Sequence, residues 1–75
     1  MPHIIIKLMT GRDEETKRKM AVKLAETLSK DFDIDKGSIS VAVTDIPREE
    51  WKESVFDIEL NDDNDELYIK PGYKM

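Results

Sequence analysis

Seventy-five residues, 39% of them hydrophobic, fit one small folded domain over residues 1–75, with a core too small to be secure without staples or partners. The chain has no cysteine and a single histidine, which excludes disulfides and argues against a zinc cluster, so association of chains is the remaining way to enlarge the core. A net charge of −5 and a pI near 4.8 disfavour nucleic acid, whose phosphates need a basic surface.

His3 to Met9 has the composition of a strand, with Ile4, Ile6 and Leu8 on one face and His3, Ile5, Lys7 and Met9 on the other. The run Ile4-Ile5-Ile6 is far too short to span a membrane, and no basic segment followed by an apolar one marks a secretory signal, so the expected location is the cytoplasm. Thr10 and Gly11 break the strand. Asp13 to about Lys30 reads as a helix, with Asp13 as its N-cap and Glu14 and Glu15 favouring the positive end of the helix dipole. Met20, Ala21, Leu24, Ala25 and Leu28 recur at three- and four-residue spacing and give it one apolar stripe. Phe32 and Ile34 are expected to close the core after it.

Asp31, Asp33 and Asp35 alternate in the manner of a calcium loop, but Gly37 falls one position late and Ala42 stands where a glutamate is required. A polar connection is the better reading. Ser38 to Ile46 is expected to form a second strand, with Ile39, Val41 and Val43 on one face and Ser40, Ala42 and Thr44 on the other. Strand, five-turn helix and strand make a right-handed parallel βαβ unit, an α/β (α+β) fold. Two strands are too few for a stable sheet, so pairing of two units into a four-stranded sheet is the natural dimer. Pro47 suits the first position of a new helix carrying Trp51, Val55 and Ile58 to about Leu60. Asn61 to Glu66 reads as an acidic turn before a short helix with Leu67 and Tyr68, and Lys70-Pro71-Gly72-Tyr73 as a turn with an aromatic anchor.

Pro2 is the first candidate for chemistry. Methionine is normally removed before a small residue, and the amine so freed is a secondary amine on a rigid ring. Free α-amino groups titrate at about 7.7–8.0, and desolvation or a nearby cation lowers that value into the range of a base at neutral pH. Many chains begin Met-Pro without such a role, so the company Pro2 keeps decides its weight. Arg12, in the connection after the first strand, either binds a substrate carboxylate bidentately or pairs with Asp13 or Glu14. Trp51, the one tryptophan, is either packing or the wall of a dry pocket. Ser40 and Thr44 offer hydroxyls to a ligand or are tolerated polar positions on the sheet. His3 is adjacent to Pro2 but points to the opposite face if the strand begins there, and reads as structural rather than as a second base.

Taken together, Pro2 opening a strand, Gly11-Arg12 after it, the amphipathic helix, the second strand from Ser38 to Val41 and the aromatic Trp51 resemble the 4-oxalocrotonate tautomerase family over nearly the whole chain. The opening Pro2-His3-Ile4, the segment Ser38-Ile39-Ser40, Trp51 and the closing Lys70-Pro71-Gly72-Tyr73 are similar to its longer bacterial, phenylpyruvate-type subgroup. The resemblance implies a cofactor-independent keto–enol tautomerase, with no metal, acting on a small 2-keto acid. Pro2 would be the general base, Arg12 the carboxylate-binding and charge-drawing residue, and Trp51 the apolar wall. Hexameric members carry a second arginine at the position of Ser40. Its loss points away from dicarboxylates and towards monocarboxylates such as phenylpyruvate, with Ser40 as a substrate-binding hydroxyl. The resemblance also implies a homo-oligomer, a dimer in preference to a hexamer. Two alternatives remain: a related proline-based hydratase, dehalogenase or decarboxylase, and a non-catalytic interaction module on the same scaffold.

Overall fold

The computed structural model describes residues Met1–Met75, which divide into two compact units, Met1–Asp45 and Ile46–Met75. In the first, strand β1 (His3–Met9) leads through a short connection into helix α1 (Glu14–Phe32), and a 3-10 turn at Lys36–Ser38 precedes strand β2 (Ser40–Ile46), whose last residue crosses the unit boundary. The two strands are hydrogen-bonded neighbours in one parallel sheet, giving the βαβ arrangement that the alternating elements imply.

Local chemistry sets the ends of α1. The Asp13 carboxylate accepts the Thr16 N–H at 2.8 Å, satisfying one of the free donors of the first turn, and the Asp13 carbonyl accepts the Lys17 N–H at 3.1 Å, the first bond of the helix. Those bonds from Thr16, helped by the charge of Lys17, hold the Asp13 carboxyl below the usual carboxylate range. The helix ends at Asp33, which adopts the left-handed conformation (φ 54°) that aspartate tolerates better than most residues. It therefore runs two residues beyond Lys30. Phe32 is 66% exposed and closes no core in this chain, whereas Ile34 is half-buried.

The second strand starts at Ser40 rather than Ser38. Asp35 explains the delay: its carbonyl accepts both the Ser38 N–H at 3.0 Å and the Ser38 hydroxyl at 2.7 Å, which winds Lys36–Ser38 into a turn. No group of three or more His, Cys, Asp or Glu side chains is placed to hold a metal ion.

The second unit is built differently. Its helical run passes from a 3-10 turn at Arg48–Glu50 through a π-helical stretch at Lys52–Phe56 to a single α-turn at Asp57–Glu59. Pro47 stands just before the run, as its cap. Widening of the turn rotates later residues away from the positions an α-helix would give them. Val55 is the one buried hydrophobic residue of the chain, while Ile58 is 66% exposed despite its helical spacing.

No helix forms at Leu67 and Tyr68, because asparagine side chains take the place of helical bonds. Asn61 Nδ2 donates to the Asp57 carbonyl at 2.9 Å while its Oδ1 accepts the Asp63 N–H at 2.9 Å. Asn64 repeats the pattern between the Glu59 carbonyl (2.7 Å) and the Glu66 N–H (3.0 Å). Tyr73 anchors the tail: its hydroxyl accepts Trp51 Nε1–H at 3.0 Å, and its ring lies 5.6 Å from that of Phe56.

Burial is sparse for a folded chain. None of the first 45 residues is buried, and Ile5, Val22, Tyr68 and Ile69 stand 58%, 49%, 96% and 87% exposed. The chain presents 6071 Å² to solvent, whereas a folded monomer of its mass presents about 4,700 Å². A single copy leaves large apolar side chains open to solvent.

Candidate active site

The beginning of β1 and the beginning of β2 lie side by side. Pro2, half-buried, accepts the Ser40 N–H at its carbonyl at 3.2 Å, which sets the register of the parallel pair. With Met1 in place the Pro2 nitrogen is a tertiary amide without a basic lone pair, and Met1 itself is fully exposed. Removing Met1 would leave a ring amine at the edge of the sheet, beside the Ser40 backbone.

Register also brings together two side chains that the sequence alone kept apart. His3 Nδ1 and Ser40 Oγ are 2.6 Å apart across the sheet, both exposed. His3 and Ser40 thus share a face, and the Ser40 backbone sits close to Pro2 in space despite a separation of 38 positions in the chain. Nothing in the sequence pattern gives strand register directly, since alternation fixes faces but not which residue stands opposite which.

Arg12 lies in the connection between β1 and α1. Gly11, just before it, has φ of 148°, a conformation that side chains rarely adopt, so the turn that carries Arg12 depends on glycine. Open space surrounds the position a Cβ would take, so the constraint there is backbone strain alone. Arg12 is exposed, and the two carboxylates that follow it are engaged elsewhere: Asp13 caps α1, and Glu14 Oε1 lies 3.0 Å from Lys17 Nζ. The guanidinium is left facing solvent, as a residue that meets an external carboxylate should be.

Lys17, by contrast, is occupied. Its ammonium, 15% exposed, bridges Glu14 and Asp45 Oδ2 at 3.0 Å each, tying α1 to β2, and these two carboxylates raise its pKa above the ordinary lysine value. It lines a groove of about 320 Å³ with Glu14, Arg18, Ala21, Val22 and Val43. Neither Pro2, Arg12 nor Ser40 lines that groove, so its concavity is not theirs.

Trp51 belongs to the second unit, where it is half-buried and bonded to Tyr73. Its indole N–H is satisfied by that hydroxyl, which leaves the ring face for apolar contact. Thr44 is exposed, three residues before Pro47.

A model of the "Tautomerase enzyme" family matches residues 2–52. Tautomerase PptA of Enterobacter sp. (strain 638) is 40% identical over 76 residues, covering 100% of both chains. A probable tautomerase of Xylella fastidiosa (strain 9a5c) is 36% identical over 73 residues, 97% of this chain and 89% of its own. Among solved structures, an apo unfused 4-OT superposes with a TM-score of 0.62 at 35% identity, over 65% of this chain and 80% of that one. A 4-oxalocrotonate tautomerase isozyme of Methylibium petroleiphilum gives a TM-score of 0.61 at 23% identity, over 64% and 75%, a likeness of fold.

Proposed function

Because this chain belongs to the tautomerase family and is an isomerase, we propose that it interconverts the enol and keto forms of a 2-keto monocarboxylate of the phenylpyruvate type, with Pro2 as the general base. The observation that carries the reading is the juxtaposition at the strand starts: the Pro2 position, hydrogen-bonded to Ser40, stands where a ring amine would meet a ligand beside hydroxyl and imidazole groups.

Loss of Met1 comes first. Neutral Pro2 then takes the proton from the enol oxygen and returns it to the neighbouring carbon, so one O–H bond breaks and one C–H bond forms. Arg12, unpaired within the chain, holds the carboxylate and draws charge towards oxygen. Trp51 is the candidate apolar wall, its ring face left for apolar contact because its indole N–H is held by Tyr73. One arginine and a serine suit one carboxylate better than two, which favours phenylpyruvate-like substrates over dicarboxylates; the tautomerases named PptA lend that reading support. No cofactor or metal enters the step.

The pocket takes walls from two chains. The exposed apolar surface of the first unit and a two-stranded sheet with free edges support a homodimer with a four-stranded sheet. Residues 1–75 then act as one tautomerase domain in each subunit.

Ketonisation of enol-phenylpyruvate, followed by its ultraviolet absorbance, tests the base directly. Protein lacking Met1 is expected to turn over, and Pro2→Ala to lose about 10²–10⁴-fold in kcat. Equal rates in the two proteins would remove Pro2 from the mechanism.

A further inference from the structure

The pair formed by His3 and Ser40 has a feature the reaction above leaves unused. Its 2.6 Å contact joins residues 37 apart in sequence, across the register set by the Ser40 N–H and the Pro2 carbonyl. Both side chains are exposed, so water would satisfy either one, and burial does not force the bond. A short, specific side-chain bond one residue from the candidate base calls for another account.

Proton counting supplies it. A serine hydroxyl has one proton to give, and an imidazole Nδ1 either carries a proton or accepts one. A bare Nδ1 would take the Ser40 proton and leave only lone pairs facing outward, which repel an anionic oxygen. An Nδ1 that carries its proton donates to Oγ, and the Ser40 O–H is then free to point away from the sheet. Only the second arrangement serves an enolate.

The geometry points to His3 as a positioning residue for the keto–enol step: its Nδ1–H donates to Ser40 Oγ and so directs the Ser40 hydroxyl proton at the substrate oxygen on C2. This inference rests on the reading of Pro2 as the base. Negative charge grows on that oxygen as Pro2 removes its proton, and a donor aimed there acts in the transition state more than in the ground state. His3 and Ser40 keep their protons throughout; the only proton transferred is the one that Pro2 moves from oxygen to carbon. The pair does without charge what a second guanidinium would do with it, for one oxygen instead of a second carboxylate.

The experiment is a double-mutant cycle with enol-phenylpyruvate on chains lacking Met1, using His3→Ala, Ser40→Ala and both together. Each single change is expected to lower kcat about tenfold with KM nearly unchanged, because the lost bond belongs to the transition state. The double variant is expected to be no slower than either single one. His3→Asn, which places an amide N–H where Nδ1 stood, should recover most of the rate; His3→Gln, which reaches towards Nε2, should not. Thermal unfolding of these exposed variants should match that of the wild type. Because the chain has one histidine, nitrogen-15 histidine labelling gives a single pair of ring signals. With 3-phenylpropanoate bound, Nδ1 is expected in its protonated form, and Ser40→Ala should abolish that preference. Turnover by the wild type with multiplicative losses in the cycle, a loss confined to KM, or an unprotonated Nδ1 in the ligand-bound protein overturns the role of His3 and leaves the tautomerase reading standing. No turnover by the wild type overturns that reading and this one with it.

Discussion

The two units of this chain reach order by different routes. Met1–Asp45 is assembled from regular elements whose ends are written locally: Asp13 starts α1, Asp33 stops it, and Asp35 winds the turn before β2. Ile46–Met75 contains no long regular element, and its order comes from Val55, from the Asn61 and Asn64 side chains and from the Trp51–Tyr73–Phe56 cluster. Regular backbone in the first unit presents Pro2, Arg12 and Ser40 at strand ends and in the following turn. Irregular backbone in the second is organised around an anchor. A site that handles protons needs atoms fixed to fractions of an ångström, which strand ends supply better than a run of turns.

Arg12→Ala puts the greatest strain on that contrast. If the first unit carries the chemistry, kcat/KM for enol-phenylpyruvate should fall about 10–100-fold, the worth of a lost charge-assisted bond, while the unfolding midpoint stays in place. Unchanged kinetics would leave the first unit with a scaffold role at that position. Val55→Ala tests the other half. Removing two methyl groups from the buried position should cost about 2 kcal/mol in urea unfolding, and a loss near zero would mean that the tail and the asparagine turns alone hold the second unit. The smallest effect concerns acid. The Asp13 carboxyl sits below its unfolded pKa, so its contribution to stability is complete above that unfolded value, near 3.8, and is lost as pH falls through the lower folded one. Asp13→Ala should therefore lower the midpoint slightly at pH 7 and make no difference at the acid end. A difference of equal size at both ends would show that the cap acts without its charge.

The same contrast governs what the amino-acid sequence disclosed. The bounds of β1 and the Asp13 cap follow from alternation and capping chemistry, both local signals, whereas the expected stripe of α1 leaves Leu24 40% exposed in a single chain. The turn before β2 was hidden because it hangs on one carbonyl, that of Asp35, accepting two donors from Ser38. Trp51, Val55 and Ile58 announced helical spacing but not the π-helical stretch that turns Ile58 outward. Asparagines at 61 and 64 looked like turn residues; that they would replace a helix at Leu67 depended on reaching the carbonyls of Asp57 and Glu59. For the candidate site, Pro2 and Arg12 stood out as residue types at telling positions. His3 was set aside because alternation points it to the face opposite Pro2; its partner Ser40 was hidden, since alternation says nothing about register and register is what puts His3 on Ser40.

The bond between Trp51 and Tyr73 has an optical consequence. Since the chain holds one tryptophan, its fluorescence reports the hydrogen bond to Tyr73 and hence the seating of the tail, and reports it for the second unit. Far-ultraviolet circular dichroism is dominated by the 19 residues of α1 and reports the first. One denaturant titration read both ways therefore tracks two parts of the same chain. Coincident curves would mark a single cooperative body, and separated curves would give each unit a midpoint of its own.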